Sequence, residues 1–144
     1  MKTVKDILRA KGSKIYSISP DATVYEALNR MADKNVGAML VFEGNDLVGL
    51  ISERDYSRKT ILKGRFSKQT AVREIMTTEA VTVHPDDDIE ACMELFTDKH
   101  VRHLPVIEKK KVVGIVSIGD IVKSVIDYKD FIIEEMENYI KGKH

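Results

Sequence analysis

A single cysteine, Cys92, is all the thiol in 144 residues, so no disulfide can form within the chain. A disulfide-stapled scaffold is excluded, and a reducing compartment, the cytoplasm by default, is the expected setting. Charge of one sign is also missing. Lys plus Arg and Asp plus Glu number 23 each, for a formal net charge of zero. No global field attracts nucleic acid or an anionic membrane, and neither is expected as a partner. No apolar run approaches the ~20 residues of a membrane span, and residues 1–12 lack the apolar centre of a signal peptide. The eight glycines are dispersed. None builds a Walker loop or a GxGxxG after a strand, so NAD could not sit here in a Rossmann site. His100 and His103 have no nearby cysteine and no HExxH pattern, so no metal site is expected. No general acid–base pair, activated nucleophile or metal set emerges, and the chain reads as non-catalytic.

What is present is a duplication. Gly49-Leu50-Ile51-Ser52-Glu53-Arg54-Asp55 recurs as Gly114-Ile115-Val116-Ser117-Ile118-Gly119-Asp120, an offset of 65 residues. The same shift aligns residues 15–56 with 80–121 without gaps, and 11 of those 42 positions are identical. The identities gather at turns and element ends, where geometry restricts residue choice. Asp6-Ile7-Leu8 aligns with Glu74-Ile75-Met76 at an offset of 68, so the first copy carries three extra residues around Arg9–Lys14. Each copy alone is near the lower limit for an independent core. The expected boundaries are repeat 1 over residues 1–66, repeat 2 over 67–127, and a helical tail over 128–144.

Periodicity gives each copy the order strand–helix–strand–strand–helix, after a short amphipathic opening at Thr3–Leu8 and at Ala71–Met76. Arg9–Lys14 reads as a loop. Ile15–Ile18 and Val81–Val83 are the short first strands, closed by Pro20-Asp21 and Pro85-Asp86 turns. Thr23 and Asp88 are placed to cap the following helices. The buried faces of those helices are Val24, Ala27, Leu28 and Met31, then Ile89, Cys92, Met93 and Phe96. Cys92 therefore reads as a small buried residue rather than a nucleophile. Ala38–Phe42 and Leu47–Ile51 form one hairpin; Val101–Ile107 and Val112–Val116 form the other. A helix from Ser52 to about Leu62 ends the first copy. The tail Tyr128–Ile140 carries Phe131, Ile132, Met136 and Tyr139, an apolar face to bury against another subunit. Helices can cover only one side of each small sheet, which predicts an α/β (α+β) fold with two sheets packed face to face about a pseudo-twofold axis.

A strand ending in Ser-x-x-Asp and breaking into a helix offers a hydroxyl, backbone N–H groups and a carboxylate. A nucleotide needs donors for phosphate and an acceptor for ribose hydroxyls. A plain helix cap is the competing reading of the same residues, and duplication at one offset weighs against it. Arg54 adds a bidentate phosphate partner in the first copy. The second copy has Gly119 there, but carries Arg102 and His103 where the first has Gly37 and Ala38. Two unlike clefts are expected, each borrowing a cation from the other copy. Arg58 and Lys59 fit a solvated helix face equally well.

The doubled Gly-aliphatic-aliphatic-Ser-x-x-Asp ending, the strand Val101-Arg102-His103-Leu104-Pro105-Val106 and the element order resemble a CBS-domain pair, or Bateman module. The strings Ser52–Lys59, Val116–Val122 and Asn138–Gly142 are similar to stand-alone CBS-pair proteins of bacteria and plant organelles. That resemblance implies regulatory binding of AMP, ATP or NAD in clefts between the copies, without catalytic cofactor, in a homodimer that acts on a further protein. It implies Asp55 and Asp120 for the ribose, and Ser52 and Ser117 for phosphate or ribose, with Gly119 inside the second motif. Tyr16, Gly37, Ala38, Met39, Val81, His103, Leu104 and Pro105 would enclose the base, with Arg54 and Arg102 on phosphate. The first copy lacks the proline of the second, which implies a differently shaped or empty base slot there. The alternative is a dimerisation module with no physiological ligand.

Overall fold

Short polar caps start the main helices, and left-handed residues end two of them at matching places in the two copies. The computed structural model describes residues 2–142; Met1, at the start of the expected first repeat, and Lys143 and His144, at the end of the expected tail, lie outside the described residues. Helix α1 (Val4–Lys11) leads through strand β1 (Ser17–Ile18) to helix α2 (Val24–Lys34). The hairpin of β2 (Ala38–Glu43) and β3 (Asp46–Ser52) then runs directly into helix α3 (Glu53–Lys59). The second half follows as α4 (Val72–Ile75), α5 (Ile89–Lys99), β4 (His103–Glu108), β5 (Lys111–Ser117) and α6 (Ile118–Ile140). Thr23 and Asp88 accept the N–H groups of Glu26 and Ala91, as their spacing predicts. Asn35 and His100, 65 residues apart, terminate α2 and α5 at φ 54° and 55°. Both hairpins carry a register shift at the same place, Val41/Phe42 and Val106/Ile107.

The expected strand at Val81–Val83 is reduced to one parallel bridge, Val83 with Val106. The cause lies on β4. In the first copy the Leu40 N–H donates to the Tyr16 carbonyl at 3.1 Å, and β1 pairs parallel to β2. The counterpart of Leu40 is Pro105, which has no N–H to donate. The first sheet therefore has three strands and the second has two. Three further details differ from expectation. Helix α1 continues to Lys11, and Gly12 ends it at φ 92°. Helix α3 stops at Lys59, with a separate 3-10 turn at Ile61–Lys63. Met93 is 47% exposed, leaving Ile89 and Cys92 as the buried residues of α5.

Two cores form, and they use the same repeat positions. Ile18, Val24, Ala27, Met39, Val41 and Ile51 line the first; Val83, Ile89, Cys92, Leu104, Val106 and Val116 line the second. The opening segments are exchanged. Val4 and Ile7 of α1 lie in the second core, while Val72 and Ile75 of α4 lie in the first. Each copy thus closes the other, and the packing crosses the boundary drawn between residues 66 and 67. Strand alternation supplies the contact between sheets. Met39 and Val41 face the helices, whereas Ala38 and Leu40 face a third cluster with Leu50, to which Val112 and Ile115 of the opposing sheet contribute. Helix α6 runs unbroken through Tyr128 to Ile140. No helix among the described residues is long and apolar enough to cross a membrane.

Candidate functional site

Ser52 and Ser117 fix where the two carboxylates sit. Ser52 Oγ accepts the Asp55 N–H at 3.1 Å, and Asp55 Oδ2 accepts the Ser52 N–H at 3.0 Å. Ser117 and Asp120 repeat this reciprocal box at 3.2 and 2.9 Å. The helix-cap reading of the motif therefore holds in both copies. Capping uses only part of each carboxylate. Asp55 Oδ1 accepts from Lys59 Nζ at 3.0 Å and from Thr77 Oγ1 at 3.3 Å. Asp120 Oδ2 also accepts from Lys11 Nζ at 2.7 Å, and no described residue donates to its Oδ1. Lys11 Nζ is held further by the Ile115 carbonyl at 2.9 Å.

Each carboxylate borders a hollow between the copies, about 480 Å³ beside Asp55 and about 470 Å³ beside Asp120. Either is large enough for a small organic ligand. Ser52, Arg54, Asp55, Val81 and Arg102 line the first; Tyr16, Ala38, Ser117 and Asp120 line the second; Gly37 and His103 line both. Four residues of the expected set line neither. Met39 and Leu104 are fully buried in the two cores, Pro105 is buried within β4, and Gly119 is exposed on the first turn of α6. Cations do cross between copies, Arg102 into the Asp55 cleft and Lys11 and Lys14 into the Asp120 cleft. The segment Arg9–Lys14, where the first copy has its three extra residues, carries that pair, but read as a loop it gave no sign of it. Thr77 was missed as well. It forms a bridge with Leu50 that the short opening segment did not suggest. Arg58 and Lys59 line the Asp55 cleft rather than only a solvated face.

A protein-family model described as CBS domain matches residues 4–60 and 72–127. The chain belongs to the CBS-domain family. This CBS pair is 40% identical over 149 residues to an Arabidopsis thaliana protein, "CBS domain-containing protein CBSX3, mitochondrial", covering 97% of this chain and 72% of that one. Among solved structures, it superposes with a TM-score of 0.86 on a putative signal-transduction protein with CBS domains from Burkholderia ambifaria. The two are 46% identical, over 88% of this chain and 95% of that one. A CBS pair crystallised with 5-methylthioadenosine and S-adenosyl-L-methionine is also similar, at TM-score 0.76 and 25% identity, covering 86% of this chain and 99% of that one.

In this CBS pair His103, with Gly37, forms the wall shared by the two clefts. Burial is the main reason its pKa lies below the ordinary 6.5; Lys11 and Arg102 push the same way, and Asp120 and Asp55 oppose. A neutral buried imidazole must be charged by acid, and the unfolded chain takes up that proton first. Stability is therefore expected to fall as the pH drops below about 6.5, through the interval down to the folded pKa. Thermal midpoints of the parent and His103→Gln between pH 5 and 8 check this: the parent should lose more on acidification. Equal slopes would contradict it. Cys92 is fully buried, and burial pushes its thiol to about 11, which keeps it protonated and unreactive. Among the described residues no group of three or more His, Cys, Asp or Glu is arranged to hold a metal ion.

Proposed function

We propose that this CBS pair is a non-catalytic sensor that binds an adenosine-containing nucleotide, such as AMP, ATP or NAD, in its clefts. The observation that carries the reading is the doubled placement of a carboxylate and a serine hydroxyl on the wall of a ligand-sized hollow. Asp55 and Asp120 accept from the ribose hydroxyls, and Ser52 and Ser117 stand beside them. Tyr16, Ala38, Val81, Gly37 and His103 supply the surfaces against the base. The expected residues buried away from the clefts, Met39, Leu104 and Pro105, act by holding those walls. The cytoplasm is the compartment we assign, a setting that suits one free thiol.

The signal leaves through a second copy of the chain. Val122, Val125, Ile126, Ile132, Ile133 and Met136 share one side of α6 and are 39–61% exposed. A 23-residue helix is about 35 Å long, and such an apolar stripe buries naturally against its own copy. A homodimer built on α6 turns occupancy of the clefts into a change of shape that a regulated protein can read. The same stripe also favours a pure assembly module, which would have empty clefts. Calorimetry with AMP, ATP, NAD and S-adenosylmethionine separates the two. The sensor binds at least one of them, and Asp120→Ala weakens the binding. No heat with any of the four would leave the assembly reading. Sedimentation of an Ile132→Glu, Met136→Glu variant tests the dimer: a monomer is expected, and an unchanged mass would place the interface elsewhere.

A further inference from the structure

The two clefts are nearly equal in volume but unlike in charge. Size cannot make them choose different ligands, whereas charge can. Arg54, Arg58, Lys59 and Arg102 face Glu53 and Asp55 in one cleft; Lys11 and Lys14 face Asp120 in the other. Lys59 is paired with Asp55 and Lys11 with Asp120. What then remains in the Asp55 cleft is three guanidiniums against one carboxylate, that of Glu53. Arg54 spends one N–H on the His100 carbonyl at 2.9 Å. The guanidiniums of Arg58 and Arg102 have no hydrogen-bond or ion-pair partner among the described residues. The Asp120 cleft keeps only Lys14, whose Nζ lies 5.5 Å from the centre of the Tyr16 ring.

The repeat makes this asymmetry sharper. At the offset of 65, Arg54 corresponds to Gly119 and Arg102 to Gly37. Two of the three positions that bring an arginine to the first cleft hold glycine in the second, and Arg58 corresponds to Lys123, which does not line the Asp120 cleft. The arginines lie on opposite limbs of the two copies, and the pseudo-twofold packing brings those limbs to one hollow. A guanidinium presents a planar fork that matches phosphate oxygens bidentately, which an ammonium does not.

We propose that the clefts take different ligands: the Asp55 cleft a nucleoside di- or triphosphate, its phosphate chain against Arg58 and Arg102, and the Asp120 cleft a nucleoside or monophosphate. This rests on the nucleotide-sensor reading above. A ligand hydroxyl entering the Asp120 cleft can donate to Oδ1 while Lys11 stays on Oδ2, and a short ligand leaves that ion pair in place.

Calorimetry of the full chain with ATP, AMP and adenosine at fixed salt, using the parent and an Arg58→Gln, Arg102→Gln variant, tests the proposal. Both arginines are exposed, and an unchanged thermal midpoint confirms the variant's fold. In the parent, ATP should bind one site at least about tenfold more tightly than adenosine does. In the variant the ratio of ATP to adenosine affinity should fall about 10- to 100-fold, the worth of one or two charge-assisted hydrogen bonds. An unchanged ratio, or ATP and adenosine binding equally to both sites of the parent, overturns the division of ligands while leaving the sensor intact. No binding by any of the three overturns both.

Discussion

Asp55→Ala is expected to lower stability by about 2–4 kcal/mol, and Asp120→Ala by about 1 kcal/mol. The motif is identical in the two copies, so the difference comes from surroundings. Asp55 is buried, at 8% exposure, and gathers the Ser52 N–H, the Ser52 hydroxyl, the Thr77 hydroxyl and the Lys59 ammonium. Removing it deletes a helix cap and leaves partly buried donors without an acceptor. Half-exposed Lys59 can turn to water, so its share is small. Asp120 closes the same box on α6, but no hydroxyl among the described residues donates to it, and its ion-pair partner Lys11, like Lys59, reaches solvent. Urea unfolding of both variants measures the gap. Losses equal within about 0.5 kcal/mol would mean that the carboxylates are structurally equivalent. The consequence for binding work is direct: Asp120→Ala is the cleaner probe of ligand contact, because Asp55→Ala also loosens the copy that carries it.

A second large effect is expected at the glycine that opens each motif. A Cβ at Gly49 would sit 2.8 Å from the Thr77 carbonyl oxygen and 2.8 Å from Met76 Sδ. Thr77 is locked to Leu50 by two backbone bonds, 3.0 and 2.9 Å, so that oxygen cannot move aside cheaply. At Gly114 the contact is Leu8 Cδ2 at 2.7 Å, the flexible end of a side chain. Gly49→Ala should therefore cost about 1–3 kcal/mol as overpacking against backbone, and Gly114→Ala under about 1 kcal/mol. Denaturant midpoints for the pair decide it, and an equal or larger loss at Gly114 would contradict the packing described. These contacts also explain the invariance of glycine within the repeat. Each glycine receives the opening segment of the other copy, Met76 against Gly49 and Leu8 against Gly114.

That exchange of opening segments is where sequence reasoning stopped. The 65-residue offset located both cores almost position by position, because burial follows the same strand and helix periods in each copy. It could not say that α1 closes the second core, since four to eight residues with two apolar positions fit either one. The collapse of the strand at Val81–Val83 was legible in principle. Pro105 is plain in the sequence, and a proline facing a neighbouring strand forfeits a ladder bond. Arg54 and Arg102 were legible as cations, but their convergence on one hollow depends on the pseudo-twofold packing. Lys11 was the least legible of all. It was read in a loop of the first copy, yet it ends α1 and latches the carboxylate of the second.

The central claim is that the two carboxylates grip sugar hydroxyls. A crystal structure of the protein grown with AMP tests it most directly. Ribose oxygens are expected within about 2.6–3.2 Å of the Asp55 or Asp120 carboxylate. A nucleotide bound with its ribose away from both carboxylates would contradict it.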